Sequence, residues 1–336
     1  MYLKSDLTSL EKFYTFIYDL HFSSCGKFLA CCDNYGYITL FSVAKALEPS
    51  AAGATQKHIN KWRGDKSSLY CLSSSTEYLF SGGTEGVRFW HWNNITKPNS
   101  SSTELEKPFC HVTLPSSPLN DFHDVNDLVY DEKNNNLYVA CGWNVYCLDC
   151  TKALVKDIYS GHTKYIHSVC LRPGTNQFVT GSEDGSVKIW DPTASKEAVN
   201  TIKRKGGNKD AWISSVAIDS SGEWMVVGGL TPPTLYKMGS LSRIVEFDVP
   251  KNVSTTVLKF AAGQILSAGS ESVVRHWKVN GEAVRSVPVS STISHVLSIA
   301  HNTGGSSQHE VLAVSGDSPN IDIFTHLGYK AFTLSL

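Results

Sequence analysis

From Tyr165 to Lys203, four runs rich in β-branched and aromatic residues are separated by Pro173-Gly174, Glu183-Asp184-Gly185 and Pro192-Thr193. Short runs of this kind, punctuated by Gly and Pro, predict four strands joined by tight turns. Gly161-His162 opens the unit, and Trp190-Asp191 closes its third strand. The cadence recurs along the chain. Phe41, Trp90, Leu148, Tyr236, Trp277 and Phe324 stand where Trp190 stands, at intervals of 41 to 58 residues. Ser24-Cys25-Gly26, Ser221-Gly222-Glu223 and Ala262-Gly263-Gln264 each place a Gly turn just before an apolar strand. The longer intervals absorb insertions at 48–56, 96–108 and 301–309, which are rich in Ser, Asn, Pro and Gly and predict exposed loops. Few windows hold apolar residues at helical spacing, so alternating helix and strand is excluded. The exception is the start, where Leu3, Leu7 and Leu10 could share one face of a short helix. Residues 1–13 are therefore set apart as an N-terminal segment, either tucked against the sheets or offered to a partner.

Seven recurrences of a four-stranded unit predict an all-β fold, a single seven-bladed WD-repeat β-propeller over residues 14–336. The run from Ser294 to Ser335 supplies four strands of its own for the last blade; which strand closes the propeller stays open. In blade 4, His162, Thr180, Asp184 and Trp190 match the hydrogen-bonded tetrad of WD repeats. A buried indole N–H needs an acceptor, a hydroxyl can pass the chain to imidazole, and an Asp can fix the His tautomer. The same residue types could spell a nucleophilic triad, but the repeat setting and the Trp closure favour a structural role. Blade 6 keeps Ser267 and Trp277, with Glu271 at the Asp position.

Charge narrows the function classes. Lys and Arg number 30 against 31 Asp and Glu, for a net charge of −1. A chain that grips nucleic acid with its whole surface carries a basic excess, so RNA contact would be a local patch or indirect. Nine cysteines, an odd number, read as reduced intracellular thiols. Cys147 and Cys150 have zinc-like spacing, yet no second pair accompanies them. Arg63-Gly64-Asp65 occupies the Gly-His slot ahead of blade 2, and the sequons at Asn94 and Asn252 mean nothing without secretion. Lys4, Asp6, Glu11 and Lys12 break up any leader, and no stretch approaches the ~18 apolar residues of a membrane span. The expected setting is cytosol or nucleus, without membrane contact. No P-loop, nucleophile elbow or zinc-protease motif occurs, so catalytic, metal and cofactor sites are all expected to be absent.

One surface attracts a binding role. Tyr165-Ile166 and Trp212-Ile213 hold equivalent positions at the start of the first strands of blades 4 and 5, so their rings should approach each other. Lys164, Arg204, Lys205 and Lys209 surround them. Aromatic anchors with a basic rim suit an acidic peptide or single-stranded RNA.

Several stretches go beyond a generic propeller. The run Ser24 to Ala30 with Asn34-Tyr35-Gly36, the run Gly161 to His167, Trp224-Met225-Val226, Leu266 to Gly269, and Leu327 to Leu334 resemble, in order, the THO complex subunit 6 family. That resemblance implies a WD-repeat scaffold of the nuclear THO assembly, within the transcription–export (TREX) complex that packages messenger RNA. It further implies docking on the coiled-coil subunits 5 and 7, a contribution to multimerisation, and no catalytic residues. The rival is a substrate receptor of a cullin-type ubiquitin ligase. Such receptors often carry Trp-Asp-x-Arg at the end of a blade, and here the run is Trp190-Asp191-Pro192-Thr193.

Overall fold

The computed structural model describes residues 11, 13–48, 56–98, 105, 107–115, 124–204, 212–302 and 310–336. The expected N-terminal helix, Lys205, Lys209 and most of the insertions lie outside these residues.

Seven antiparallel sheets of four strands follow one another, each hydrogen-bonded in sequence order. Blade 1 holds β1 (Ile17–Phe22), β2 (Phe28–Asp33), β3 (Tyr37–Ser42) and β4 (Asn60–Arg63). Blade 2 holds β5 (Leu69–Ser74), β6 (Tyr78–Gly83), β7 (Gly86–His91) and β8 (Cys110–Val112). Blade 3 holds β9 (Val125–Asp131), β10 (Asn136–Cys141), β11 (Asn144–Asp149) and β12 (Leu154–Ser160). Blade 4 holds β13 (Ile166–Leu171), β14 (Phe178–Ser182), β15 (Ser186–Trp190) and β16 (Ala198–Lys203). Blade 5 holds β17 (Ile213–Ile218), β18 (Trp224–Gly229), β19 (Thr234–Lys237) and β20 (Ser242–Glu246). Blade 6 holds β21 (Thr255–Ala261), β22 (Gln264–Gly269), β23 (Glu271–Trp277) and β24 (Ala283–Pro288). Blade 7 holds β25 (Val296–Asn302), β26 (Val311–Gly316), β27 (Ser318–Thr325) and β28 (Tyr329–Ser335), so all its strands come from the end of the chain. The register sets Phe41, Trp90, Leu148, Trp190, Tyr236, Trp277 and Phe324 at matching places on the third strands.

Two compact units emerge: Met1–His111 with Val289–Leu336, which carries blades 1, 2 and 7, and Val112–Pro288, which carries blades 3 to 6. Within the second, Phe178 and Trp190 stack at 5.9 Å, while Tyr159 from blade 3 meets Trp190 edge-on at 5.9 Å. Blades 4 and 5 share Val187, Ile189, Met225 and Val227, and blades 5 and 6 share Val226, Leu258 and Trp277. Within the first, Trp62 of blade 1 meets Trp90 of blade 2 at 5.7 Å. A sheet covered on both faces needs apolar residues at every position. β10 and β26 are accordingly buried throughout, whereas the outer strands β12 and β24 are largely exposed. Strict alternation is therefore missing from the inner strands, although they are antiparallel.

Each first strand carries a register shift near its start. A bulge leaves one residue out of the ladder and tilts the next side chain toward the neighbouring sheet. That side chain belongs to Asp19, Cys71, Asp127, Ser168, Ser215, Val257 and Ser298 in turn. Five of them accept a backbone N–H from the first strand of the following blade. Asp19 takes Leu72 N–H at 2.7 Å, Asp127 takes Val169 N–H at 2.7 Å, and Ser168 takes Val216 N–H at 3.2 Å. Ser215 takes Leu258 N–H at 3.0 Å, and Ser298 takes Leu20 N–H at 3.2 Å. The strand starts also come so close that β22 and β26 end on Gly269 and Gly316, where a Cβ would collide with the carbonyls of Ser254 and His295.

Two features were not foreseen. The loops after β3 and β7 each begin with one helical turn, α1 (Val43–Ala46) and α2 (Trp92–Ile95). Four residues are too few for a hydrophobic period to show. In α2, Trp92 is buried and its indole N–H donates to the Ser75 carbonyl at 3.2 Å.

Ser215→Ala should lower stability by ~1–3 kcal/mol, because the buried Leu258 N–H loses its acceptor. Ser240→Ala, which removes an exposed turn hydroxyl, should stay within ~0.5 kcal/mol. Equal melting-temperature shifts for the two variants would show that the inter-blade bond contributes nothing.

Candidate functional site

The four tetrad residues come together in blade 4. Trp190 Nε1–H donates to Thr180 Oγ1 at 2.9 Å, and Thr180 Oγ1 lies 2.8 Å from His162 Nε2. His162 Nδ1 lies 2.8 Å from Asp184 Oδ2. One proton order satisfies every member: the Thr180 hydroxyl donates to Nε2, and Nδ1–H donates to the carboxylate. Burial alone would raise the Asp184 pKa. The His162 hydrogen bond, helped by Ser186 Oγ–H and Thr163 N–H, instead holds it well below the usual carboxylate range. Thr180 and Trp190 are fully buried and His162 nearly so. The chain of bonds ties the turn before β15 to β14, to the Trp190 indole and to the Gly-His segment.

The other blades use the same two anchor points with different chemistry. Trp90 and Trp277 donate to Ser81 Oγ and Ser267 Oγ, each at 2.8 Å. In the Gly-His slot of blade 2, the buried Asp65 carboxylate accepts Arg88 Nη1–H at 2.7 Å, and Glu85 takes Nη2–H. In blade 6, Glu271 pairs with Arg275 and not with a histidine. Ahead of blade 7, Ser290 donates its N–H and hydroxyl to the buried Asp322 carboxylate at 2.6 and 2.7 Å, beside Lys330 Nζ at 2.8 Å. The sequence reading missed Asp65–Arg88 and Ser290–Asp322. The signal was there: Arg88 and Asp322 each lie two residues before the residue matching Trp190, where an unpaired charge would be buried.

The structure also relocates part of the expected patch. Tyr165 and Trp212 directly precede Ile166 and Ile213, which open β13 and β17 in the same register. Trp212 is 40 % exposed and meets the His167 ring edge-on at 5.7 Å; His167 Nε2 lies 2.8 Å from Glu183 Oε1. Lys164 is exposed. Arg204 is a correction to the basic rim. It turns inward and donates to the carbonyls of Val227 and Pro232 at 3.0 and 2.7 Å, since a guanidinium among buried carbonyls satisfies groups that would otherwise lie unpaired. Lys205 and Lys209 lie outside the described residues.

The Cys147 thiol is buried and the Cys150 thiol partly so. Burial pushes the Cys147 thiol up to about 11 and the Cys150 thiol up to about 12, which keeps both protonated and unreactive. Among the described residues, no group of three or more His, Cys, Asp or Glu side chains could hold a metal ion.

Comparison with known proteins follows this geometry. The family described as WD domain, G-beta repeat matches residues 154–191, the stretch from β12 through the tetrad Trp. THO complex subunit 6 homolog of Mus musculus is 31% identical over 334 residues, 97% of this chain and 94% of that protein. THO complex subunit 6 of Homo sapiens is 30% identical with the same coverage. The chain belongs to the THO complex subunit 6 family. Among solved structures, the WD40 beta propeller domain of Doa1 is similar at a TM-score of 0.71 and 14% identity, over 93% of each chain. At that identity the likeness speaks for the fold alone, and the fold is a seven-bladed WD-repeat β-propeller. Among the described residues, blade 4 keeps the whole tetrad, and it is the blade whose first three strands the family model matches.

Because the Asp184 pKa is depressed in the folded state, its contribution is present above the unfolded value and lost as pH falls below it. Asp184→Asn should therefore lower the melting temperature at neutral pH. The gap to the parent should narrow as pH drops below ~4. A gap that stays constant down to pH ~2 would remove the ionised pin from the account.

Proposed function

We propose that this chain is a non-catalytic adaptor subunit of the nuclear THO assembly and acts in the packaging, processing and export of messenger RNA. The observation that carries the reading is the end-to-end likeness to proteins named THO complex subunit 6. The coiled-coil subunits 5 and 7 are the partners this family resemblance implies, with multimerisation through the assembled complex. RNA is reached through those partners, in keeping with a net charge of −1. A stiff stack of sheets with many connecting loops suits a subunit that touches several others. The buried Thr180 hydroxyl supports the absence of hydrolytic chemistry.

Within that role, we assign partner contact to Lys164, Tyr165 and Trp212. The support is the exposed indole beside the His167 ring, since aromatic anchors carry much of the binding energy of protein interfaces.

Tagged and recovered from nuclei, the chain should bring down the THO coiled-coil subunits in stoichiometric amounts. Its depletion should retain polyadenylated RNA in the nucleus. Recovery of a cullin adaptor in their place would favour the ubiquitin-ligase reading. Replacing Tyr165 and Trp212 together by Ala should weaken that recovery about tenfold or more while circular dichroism stays unchanged. Undiminished recovery would move the contact elsewhere.

A further inference from the structure

Arg204 leaves the outer strand of blade 4 and sends its guanidinium into a pocket of about 550 Å³ against blade 5. Nη2 donates to Val227 O, Pro232 O and Thr234 Oγ1 at 3.0, 2.7 and 3.1 Å, and Nη1 donates to Thr231 O at 3.3 Å. Every one of these acceptors is neutral. Among the described residues, no carboxylate lies within ion-pair distance of Arg204. Glu246, the acid at the rim, is paired with Arg243.

A cation taken out of water is stabilised poorly by carbonyl dipoles alone. Here burial pulls the Arg204 pKa below the usual arginine range. These four bonds and a fifth to Tyr236 hold the guanidinium in place, and among the described residues none of its bonds goes to a carboxylate. Arg204 is still partly open to the pocket. In the same wall, the Thr231 hydroxyl is buried with no hydrogen-bond partner among the described residues. Ile202 and Leu241 supply an apolar side, and Lys203 adds a second positive charge. A guanidinium bonded to neutral dipoles alone gains more from a carboxylate than from a neutral amide, because the bond to the carboxylate is charge-assisted at both ends.

We propose that this pocket is a binding site for a carboxylate side chain, Asp or Glu, presented next to an apolar residue by a peptide segment of a partner protein. A nucleic-acid backbone fits less well. It needs a row of cations along a groove, whereas here Arg204 is recessed, Arg243 is paired with Glu246, and Lys203 is left as the one exposed cation of the lining. The inference deepens the adaptor reading and rests on it only for where the peptide comes from. Its test uses no THO subunit, so the two can fail separately.

The probes are a fluorescein-labelled Gly-Leu-Glu-Leu-Gly peptide, its Gln counterpart, its phosphoserine counterpart and a short oligouridylate, titrated onto the full chain by anisotropy. The Glu peptide should bind about tenfold or more tightly than the Gln peptide, and Arg204→Gln should abolish the difference. Equal binding of the Glu and Gln peptides overturns the proposal. So does a preference for the phosphoserine peptide or the oligouridylate, and so does no binding of any probe. If Arg204→Gln fails to fold, Leu241→Asp and Leu241→Asn decide. Leu241 has a positive φ of 53° that Asp and Asn both tolerate, so the pair isolates charge. The Asp variant supplies the missing carboxylate, and it should melt higher than the Asn variant and block the Glu peptide. Equal melting temperatures, or undiminished Glu-peptide binding, count against the site.

Discussion

The bond on which the blade stacking depends runs from a side chain just past the bulge of one first strand to an amide of the next. The bulge removes a residue from its own ladder, and a buried N–H without an acceptor costs about 1–3 kcal/mol. Asp19, Asp127, Ser168, Ser215 and Ser298 supply the acceptor from the adjacent sheet. Apolar packing between sheets such as Tyr159 against Trp190 is strong but tolerant of sliding. The directional bond at the strand start sets the register in which that packing occurs.

Farther out, the connections into the blades can vary because two anchor points suffice. One is the turn between the second and third strands, and the other is a hydroxyl or charge on a neighbouring strand. His162 with Asp184, Asp65 with Arg88 and Ser290 with Asp322 solve the same problem with a hydrogen-bonded chain ending on a carboxylate, an ion pair and a capped carboxylate. Each leaves its buried group paired, which is the physical requirement; identity of residue is not. A repeat sequence can then drift until only one copy keeps the full tetrad, while the strand register stays intact.

That drift governs what the sequence could reveal. The third-strand positions from Phe41 to Phe324 were legible because a large apolar group is needed there in every blade. Blade 7 was legible because its four strands are contiguous. The helical turns at Val43 and Trp92 were not, being shorter than any period. Asp65 was seen in the right slot and left without a partner, because Arg88 is remote in sequence and its burial shows only once β7 is placed. Arg204 was misread for a related reason. A cation next to Lys203 looks like a solvated rim until the carbonyls of Val227 and Pro232 are known to converge on it. Tyr165 and Trp212 were placed correctly at their strand starts, but the ring that meets Trp212 at 5.7 Å is that of His167, the residue its own bulge sets aside.

The faces of these sheets are consumed by one another, so recognition is left to strand ends and connections. Exposed apolar residues on the outer strands of blades 3 to 7, such as Leu154, Ile244 and Tyr329, stand one or two to a strand and form no continuous stripe. Two of the groups left open to solvent stand at one junction: the exposed indole before β17 and the guanidinium after β16. Both flank the connection from blade 4 into blade 5. Blade 4 is fastened by the complete tetrad, so this connection departs from the most firmly specified blade. A binding element hung there gains a fixed reference frame, and less ordering entropy is lost when a partner engages it.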